Sequence, residues 1–286
     1  MDFMGRDVTG VREPSVSGMF YPDEPAVLRK DIRDYLKAAE IGTPPSDIQA
    51  LISPHAGYMY SGPVAAYGYK AVSGQKYDTV VILAPSHRAY FQGIAIWDEG
   101  TFKTPLGSIT VDAGSASALL ARYGAFRANR EVHKTEHSLE VQLPFLQYIF
   151  KDFLLLPLLV GAADENVYEA AAEALAQVIR ADKRRFLIIA STDLSHYYPY
   201  DAAVKIDKVT LEHIRSFDIP AMVRDTRSEK AQACGAAPMI TTMIAAMKLG
   251  ARASSVLKYA NSGDVTGDRS GVVGYVSAIL FKSDTR

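Results

Sequence analysis

Cysteine is nearly absent from this 286-residue chain: Cys234 stands alone. No intrachain disulfide can form, a four-cysteine zinc site is excluded, and a lone thiol fits a reducing, cytoplasmic compartment. Excess charge is missing too. Lys plus Arg number 31 against 32 Asp plus Glu, a net charge of -1, so the basic excess of a nucleic-acid binder is not there. Long apolar runs are missing as well. The longest, Phe153 to Ala163, contains Pro157 and falls well short of the ~20 residues a membrane-spanning helix needs. Met1 to Gly10 carries Asp2, Arg6 and Asp7 with no apolar core, which argues against a signal peptide. No glycine-rich dinucleotide fingerprint, phosphate-cradling loop or nucleophile elbow occurs. Asn261 to Asp264 and Gly267-Asp268 do not keep EF-hand spacing and read as a polar loop.

What remains is an ordinary globular composition, 48% hydrophobic and 22% charged, with no repeat and no long linker. One domain over residues 1–286 is the expectation. Short apolar runs that end abruptly in polar clusters recur. Ile48 to Ile52 meets Ser53-Pro54-His55, Thr79 to Ala84 meets Pro85-Ser86-His87, and Arg185 to Ala190 meets Ser191 through His196. Such runs read as strands buried on both faces, with Phe153 to Val160 as another. Helical spacing is expected over Glu24 to Glu40 with Asp23 as N-cap, and over 62–72, 115–123, 138–150, 165–179 and 234–249. Asp218 to Gln232 reads as a charged loop. Two C-terminal strands, Ser254 to Tyr259 and Val272 to Phe281, complete the pattern, and their exposed edges would suit a homodimer. Strands alternating with helices predict an α/β fold with a largely parallel sheet flanked by helices.

Three of the six histidines, His55, His87 and His196, follow buried strands. Ligands bind outside the carboxyl ends of strands in an open parallel sheet, and imidazoles converging there can start a metal site. A lone strand-end histidine more often sits at the surface or simply makes a hydrogen bond; three in equivalent places shift the balance. Asp193, three residues before His196, could orient that imidazole for proton transfer if a helical turn starts there; otherwise it caps a turn. Cys234 precedes Gly235 and an apolar helix, where the helix dipole would lower its pKa and make a nucleophile or soft ligand. The alternative is a small buried hydrophobe. His133 and His137 are spaced as on a helix face without the His-Glu-x-x-His pattern. Ser138 as N-cap would leave both in a loop, with His137 as a pocket wall and His133 a weaker candidate.

These residues carry a resemblance that runs nearly end to end. Arg12-Glu-Pro-Ser-Val-Ser-Gly-Met-Phe-Tyr-Pro22, Ser53-Pro-His-Ala-Gly-Tyr58, Ser61-Gly-Pro63 and Ala84-Pro-Ser-His87 come first. His137-Ser-Leu-Glu-Val-Gln-Leu-Pro144, Ser191-Thr-Asp-Leu-Ser-His196, Cys234-Gly235 and Asn261-Ser-Gly-Asp264 follow in order. The chain resembles the Memo family, whose eukaryotic member is the mediator of ErbB-driven cell motility. The resemblance implies a fold similar to LigB-type class III extradiol dioxygenases, where two histidines and a glutamate hold Fe(II) and another histidine moves protons. On that pattern His55 and His87 are metal ligands, Cys234 replaces the glutamate, His196 and Asp193 are catalytic, and Tyr58 and His137 line a substrate pocket. Fe(II) is the implied cofactor, with copper the alternative because thiolate is softer than carboxylate. The resemblance also implies a second class of function, a binding protein for a peptide, a small ligand or a radical-SAM partner. No arginine cluster for a phosphopeptide is evident.

Overall fold

Every residue of the Thr79–Pro85 strand is buried, and its alternate side chains enter two different cores. Val81 and Leu83 join one, while Val80, Ile82 and Ala84 join the other. The period-2 geometry of a strand splits a continuous apolar run between two faces in this way. Phe186–Ser191 and Leu154–Val160 divide likewise. Each large aliphatic side chain so buried contributes about 1.5–3 kcal/mol.

These elements come from a computed structural model, which describes residues 10–283; Met1 to Thr9, where no signal peptide was expected, lies outside them. Four central strands run parallel in the order Ile48–Ser53, Phe186–Ser191, Thr79–Pro85, Leu154–Val160. Antiparallel strands flank them: Val272–Phe281 beside Ile48–Ser53, and Ile94–Ile96 beside Leu154–Val160. The sheet is therefore parallel at its centre and mixed overall. Ala253–Asn261 pairs with Val272–Phe281 alone among the described strands. Pro157 is tolerated because its missing N–H falls between neighbours. Leu155, two residues back on the same edge, accepts from Asp112 N, and the Ile94–Ile96 pairing begins only at Leu158.

One face is covered by helices Glu165–Arg180 and Ala236–Lys248, the other by Pro25–Ala38 and Tyr58–Val72. Several expectations need correcting. Glu24, not Asp23, caps Pro25–Ala38, accepting from Val27 N. The expected 138–150 helix is two pieces, His137–Glu140 and Leu143–Ile149. Pro144 has no N–H to return to Glu140 O, so the first helix cannot run on. Residues 218–232 are not all loop. Asp218 caps an Ile219–Arg227 helix that buries Ile219, Ala221 and Met222. The 17-residue helix Tyr200–Ser216 and a small sheet of Val11–Arg12, Thr101–Thr104 and Gly107–Thr110 were not anticipated. No helix among the described residues is long and apolar enough to cross a membrane.

Candidate metal centre

The three adjacent parallel strands Ile48–Ser53, Phe186–Ser191 and Thr79–Pro85 end side by side, with Ser53 in register with Ser191. His55 leaves the first, Asp193 the second and His87 the third. A fourth element, the short helix that begins at His137, meets them. The ring centroids of His55 and His87 are 5.2 Å apart, His87 and His137 stack at 4.8 Å, and His55 and His137 meet edge-on at 5.6 Å. Each imidazole offers one nitrogen, and these atoms lie within 4.8 Å of one another, a group that could hold a metal ion.

The hydrogen bonds fix which nitrogens are free. Ser191 Oγ spends its only proton on Ser138 O at 2.6 Å and accepts from Gln142 Nε2 at 2.8 Å. His55 Nδ1, 2.9 Å from the same oxygen, must therefore be the donor, which leaves Nε2 as a bare acceptor. His87 Nδ1 lies 3.0 Å from Glu136 Oε1, and a carboxylate there claims the Nδ1 proton and frees Nε2 for a metal. His137 Nδ1 is buried and lies 3.3 Å from Glu136 Oε1, close enough for an ion pair when protonated, without forming a hydrogen bond. Burial holds His55 well below the usual histidine pKa and His137 at about 4. Both are neutral at pH 7, as ligation requires.

Glu136 is 2% exposed. Burial pushes its pKa up, but the His87 ring, Ser138 N and His87 N all donate to it and hold it well below the carboxylate range. The same carboxylate caps the His137–Glu140 helix. Behind it, Arg12 donates through Nε to His133 O at 3.1 Å, through Nη2 to Glu136 O at 2.7 Å, and through Nη1 to the Glu140 carboxylate. Glu140 also accepts from Ser15 N, Val16 N and Tyr21 OH. This explains the Arg12–Pro22 motif: it folds around a buried ion pair and sets Phe20 against the His137 ring at 4.8 Å.

The opposite flank differs. Cys234 Sγ sits 3.2 Å from His55 Nε2 and accepts from Asp193 N at 3.3 Å, while Cys234 N donates to Asp193 O. With Nε2 unprotonated, the S–H must point to it. The expected lowering of the thiol pKa is corrected: burial and the nearby Asp193 push it up, and the helix itself starts only at Ala236. Gly235 is needed here because a Cβ would lie 2.4 Å from Ser191 O. Asp193 Oδ1 accepts from His55 N at 2.8 Å, and burial raises its pKa to about 7 despite that bond.

Asp193 does not orient His196. No helical turn starts there; the chain enters the His196–Tyr198 strand, and His196 Nδ1 donates to Leu194 O at 2.8 Å. His196 and Cys234 share a cavity of about 390 Å³ with Tyr198 and Gln232. Tyr58, expected at the pocket wall, is a core residue. It is buried, packs on Tyr21 and Phe145, and donates its hydroxyl to Val141 O. His133 is buried as well, with Nε2 on Ala95 O. Glu136 and Gln142 had no assigned role in the sequence. The available signal was their place in the stretch around His137, since a glutamate before a helix can cap it.

With this geometry in hand, comparison with known proteins places the chain. The family model described as Memo-like protein matches residues 12–279. A MEMO1 family protein of Methanosarcina mazei is 40% identical over 271 residues, covering 94% of this chain and 99% of the relative. One from Methanopyrus kandleri is 39% identical over 281 residues, covering 95% and 99%. Another from Sulfolobus acidocaldarius is 37% identical over 279 residues, covering 93% and 98%. The matched span includes His55, His87, Glu136, His137, Asp193, His196 and Cys234, and the chain belongs to the Memo family.

Proposed function

We propose that this protein is a cytoplasmic, mononuclear metal enzyme of redox or oxygen-dependent chemistry, with Fe(II) as the first candidate and copper as the alternative. The observation that carries the reading is three converging imidazoles, two from strand ends and one from a helix start, with mutually close nitrogens, two of them with Nδ1 tied by hydrogen bonds. His55 and His87 would hold the ion, with the third donor coming from Cys234 or His137. A metal so bound would supply a site for oxygen or substrate to accept or give electrons. Asp193, whose Oδ1 accepts from His55 N at 2.8 Å and whose pKa burial raises to about 7, can hold or release a proton beside the metal-site histidines. His196, with Nδ1 tied to Leu194 O, lines the adjoining cavity. The LigB-type resemblance supports the same reading.

The test is anaerobic purification without a histidine tag, reloading with Fe(II) or Cu(I), and measurement of bound metal and dioxygen uptake. Near-stoichiometric metal lost in His55→Ala and His87→Ala is the expected result. Metal binding indifferent to both substitutions would sink the reading. A second reading, a docking module for a peptide or radical-SAM partner, draws on exposed Met19, Met59, Tyr90 and Tyr197, which lie on segments that also build the site. Tight partner binding unchanged by His55→Ala would favour it.

A further inference from the structure

A second cavity lies at the other end of the sheet from the histidines. It holds about 880 Å³, against about 390 Å³ for the one beside His196 and Cys234. Asp78 and Leu154 line it, at the places where Thr79–Pro85 and Leu154–Val160 begin. A seven-residue strand, about 20 Å long, separates it from the turn that carries His87. Two of its walls are tied down. Gln147 holds the hairpin of Thr101–Thr104 and Gly107–Thr110, accepting from Thr104 Oγ1 and donating to Gly107 O at 3.0 Å. Arg184 is clasped by Asp112 at 2.9 Å and Asp182 at 2.6 Å. A preformed cavity of this size can take a small molecule with little reordering.

The lining is divided between apolar and charged groups. Leu106, Ile109, Phe150, Phe153 and Leu154 supply an apolar surface, with the Phe150 and Phe153 rings edge-on at 6.1 Å. Four cations and two carboxylates make up most of the rest. Arg184 is already engaged by its two aspartates, and Lys76 shares Asp78 at 3.8 Å. Arg29 and Lys151 have no ion pair or hydrogen bond among the described residues, and neither has Asp152. Two uncommitted cations therefore stand against one uncommitted carboxylate, next to an apolar surface.

We propose that this cavity is a binding site for a small organic monoanion with an aromatic or branched aliphatic body. The body covers the apolar surface and supplies most of the affinity, while its carboxylate meets Arg29 and Lys151. A second or third negative charge would face Asp152 and Asp78, so polyphosphates are poor ligands. The site stands apart from the metal centre and does not depend on the reading given to it.

The experiment is isothermal titration calorimetry of the full-length protein with 2-naphthoate, the uncharged 2-naphthalenemethanol and ATP. Wild type is compared with Arg29→Gln/Lys151→Gln, Leu106→Asp and His55→Ala. Wild type should bind naphthoate about tenfold more tightly than the alcohol, and ATP more weakly still. The double substitution should weaken naphthoate by about tenfold, to the level of the alcohol, and leave the alcohol unchanged. Leu106→Asp should weaken both naphthalene compounds, and His55→Ala neither. No naphthoate binding, equal binding of the alcohol or ATP, or a double variant that binds as wild type does would overturn the proposal. So would naphthoate binding lost in His55→Ala, which would move the ligand to the metal end.

Discussion

Two carboxylates face the histidines from opposite flanks, and they are nearly equally buried: Glu136 is 2% exposed and Asp193 4%. Each accepts the backbone N–H of a strand-end histidine, Glu136 from His87 and Asp193 from His55. Their charge states nevertheless diverge. Glu136 also receives the His87 ring proton and Ser138 N, and stays ionised. Asp193 has backbone amides from His55 and Ala56 and no bonded imidazole, and burial lifts it to about 7. Equal burial with unequal donors gives opposite outcomes. The pocket therefore has a fixed anion on one side and a proton reservoir on the other.

The anionic flank depends on Arg12, and removing it is the most damaging way to break the contrast. Arg12 and Glu140 are 1% and 0% exposed. Arg12→Met would leave the Glu140 carboxylate buried without its cation and untie His133 O and Glu136 O. A loss of about 3–5 kcal/mol is expected, read by chemical denaturation of the metal-free protein. A loss below about 1 kcal/mol would show that the Arg12–Pro22 segment does not hold this flank.

The pH dependence of stability should separate the two carboxylates by sign. Asp193 titrates at 3.8 unfolded and about 7 folded. Across that window the folded protein keeps a proton the unfolded chain has released, so this residue's contribution is present below pH 3.8 and lost as pH rises towards 7. Glu136 is depressed, so its contribution is present above the unfolded carboxylate pKa and lost as pH falls. Asp193→Asn should remove a downward slope of up to about 1.4 kcal/mol per pH unit between pH 4 and 7. Denaturation midpoints of metal-free wild type and variant at several pH values measure it. Parallel curves would mean that Asp193 is ionised at neutral pH.

The contrast between these carboxylates was out of reach of the sequence, whereas the histidines were not. His55 and His87 stand where continuous apolar runs stop at proline-containing clusters, and a parallel sheet brings such ends together whatever the loops do. Glu136 lies among charged residues and reads as solvated; only the fold buries it. The Tyr200–Ser216 helix escaped for a related reason, since its inward face includes Asp207 and Thr210, both fully buried. Polar residues at core positions erase the apolar periodicity by which a helix is read. Asp207 is satisfied there by Ser195 N and Tyr259 OH, partners distant in sequence. The small sheet has strands of two to four residues, too short to show any period.

The smallest expected effect is the one that tests whether the anion matters to the metal rather than to the fold. Glu136→Gln keeps one acceptor oxygen, enough for Ser138 N and so for the His137–Glu140 cap, while its NH2 replaces the oxygen that accepts from His87 N. What it removes is the negative charge against the His87 imidazole, which raises that ring's donor strength towards a cation. Affinity for a divalent ion should fall by about 10–100-fold, or about 1.4–2.7 kcal/mol. The metal-free melting curve should change less than for Arg12→Met. Asp193→Asn, on the flank that is neutral below pH 7, should leave divalent affinity at pH 6 nearly unchanged. If the two amides weaken binding equally at pH 6, the flanks are electrostatically equivalent to the ion, and the asymmetry belongs to the protein's folding alone.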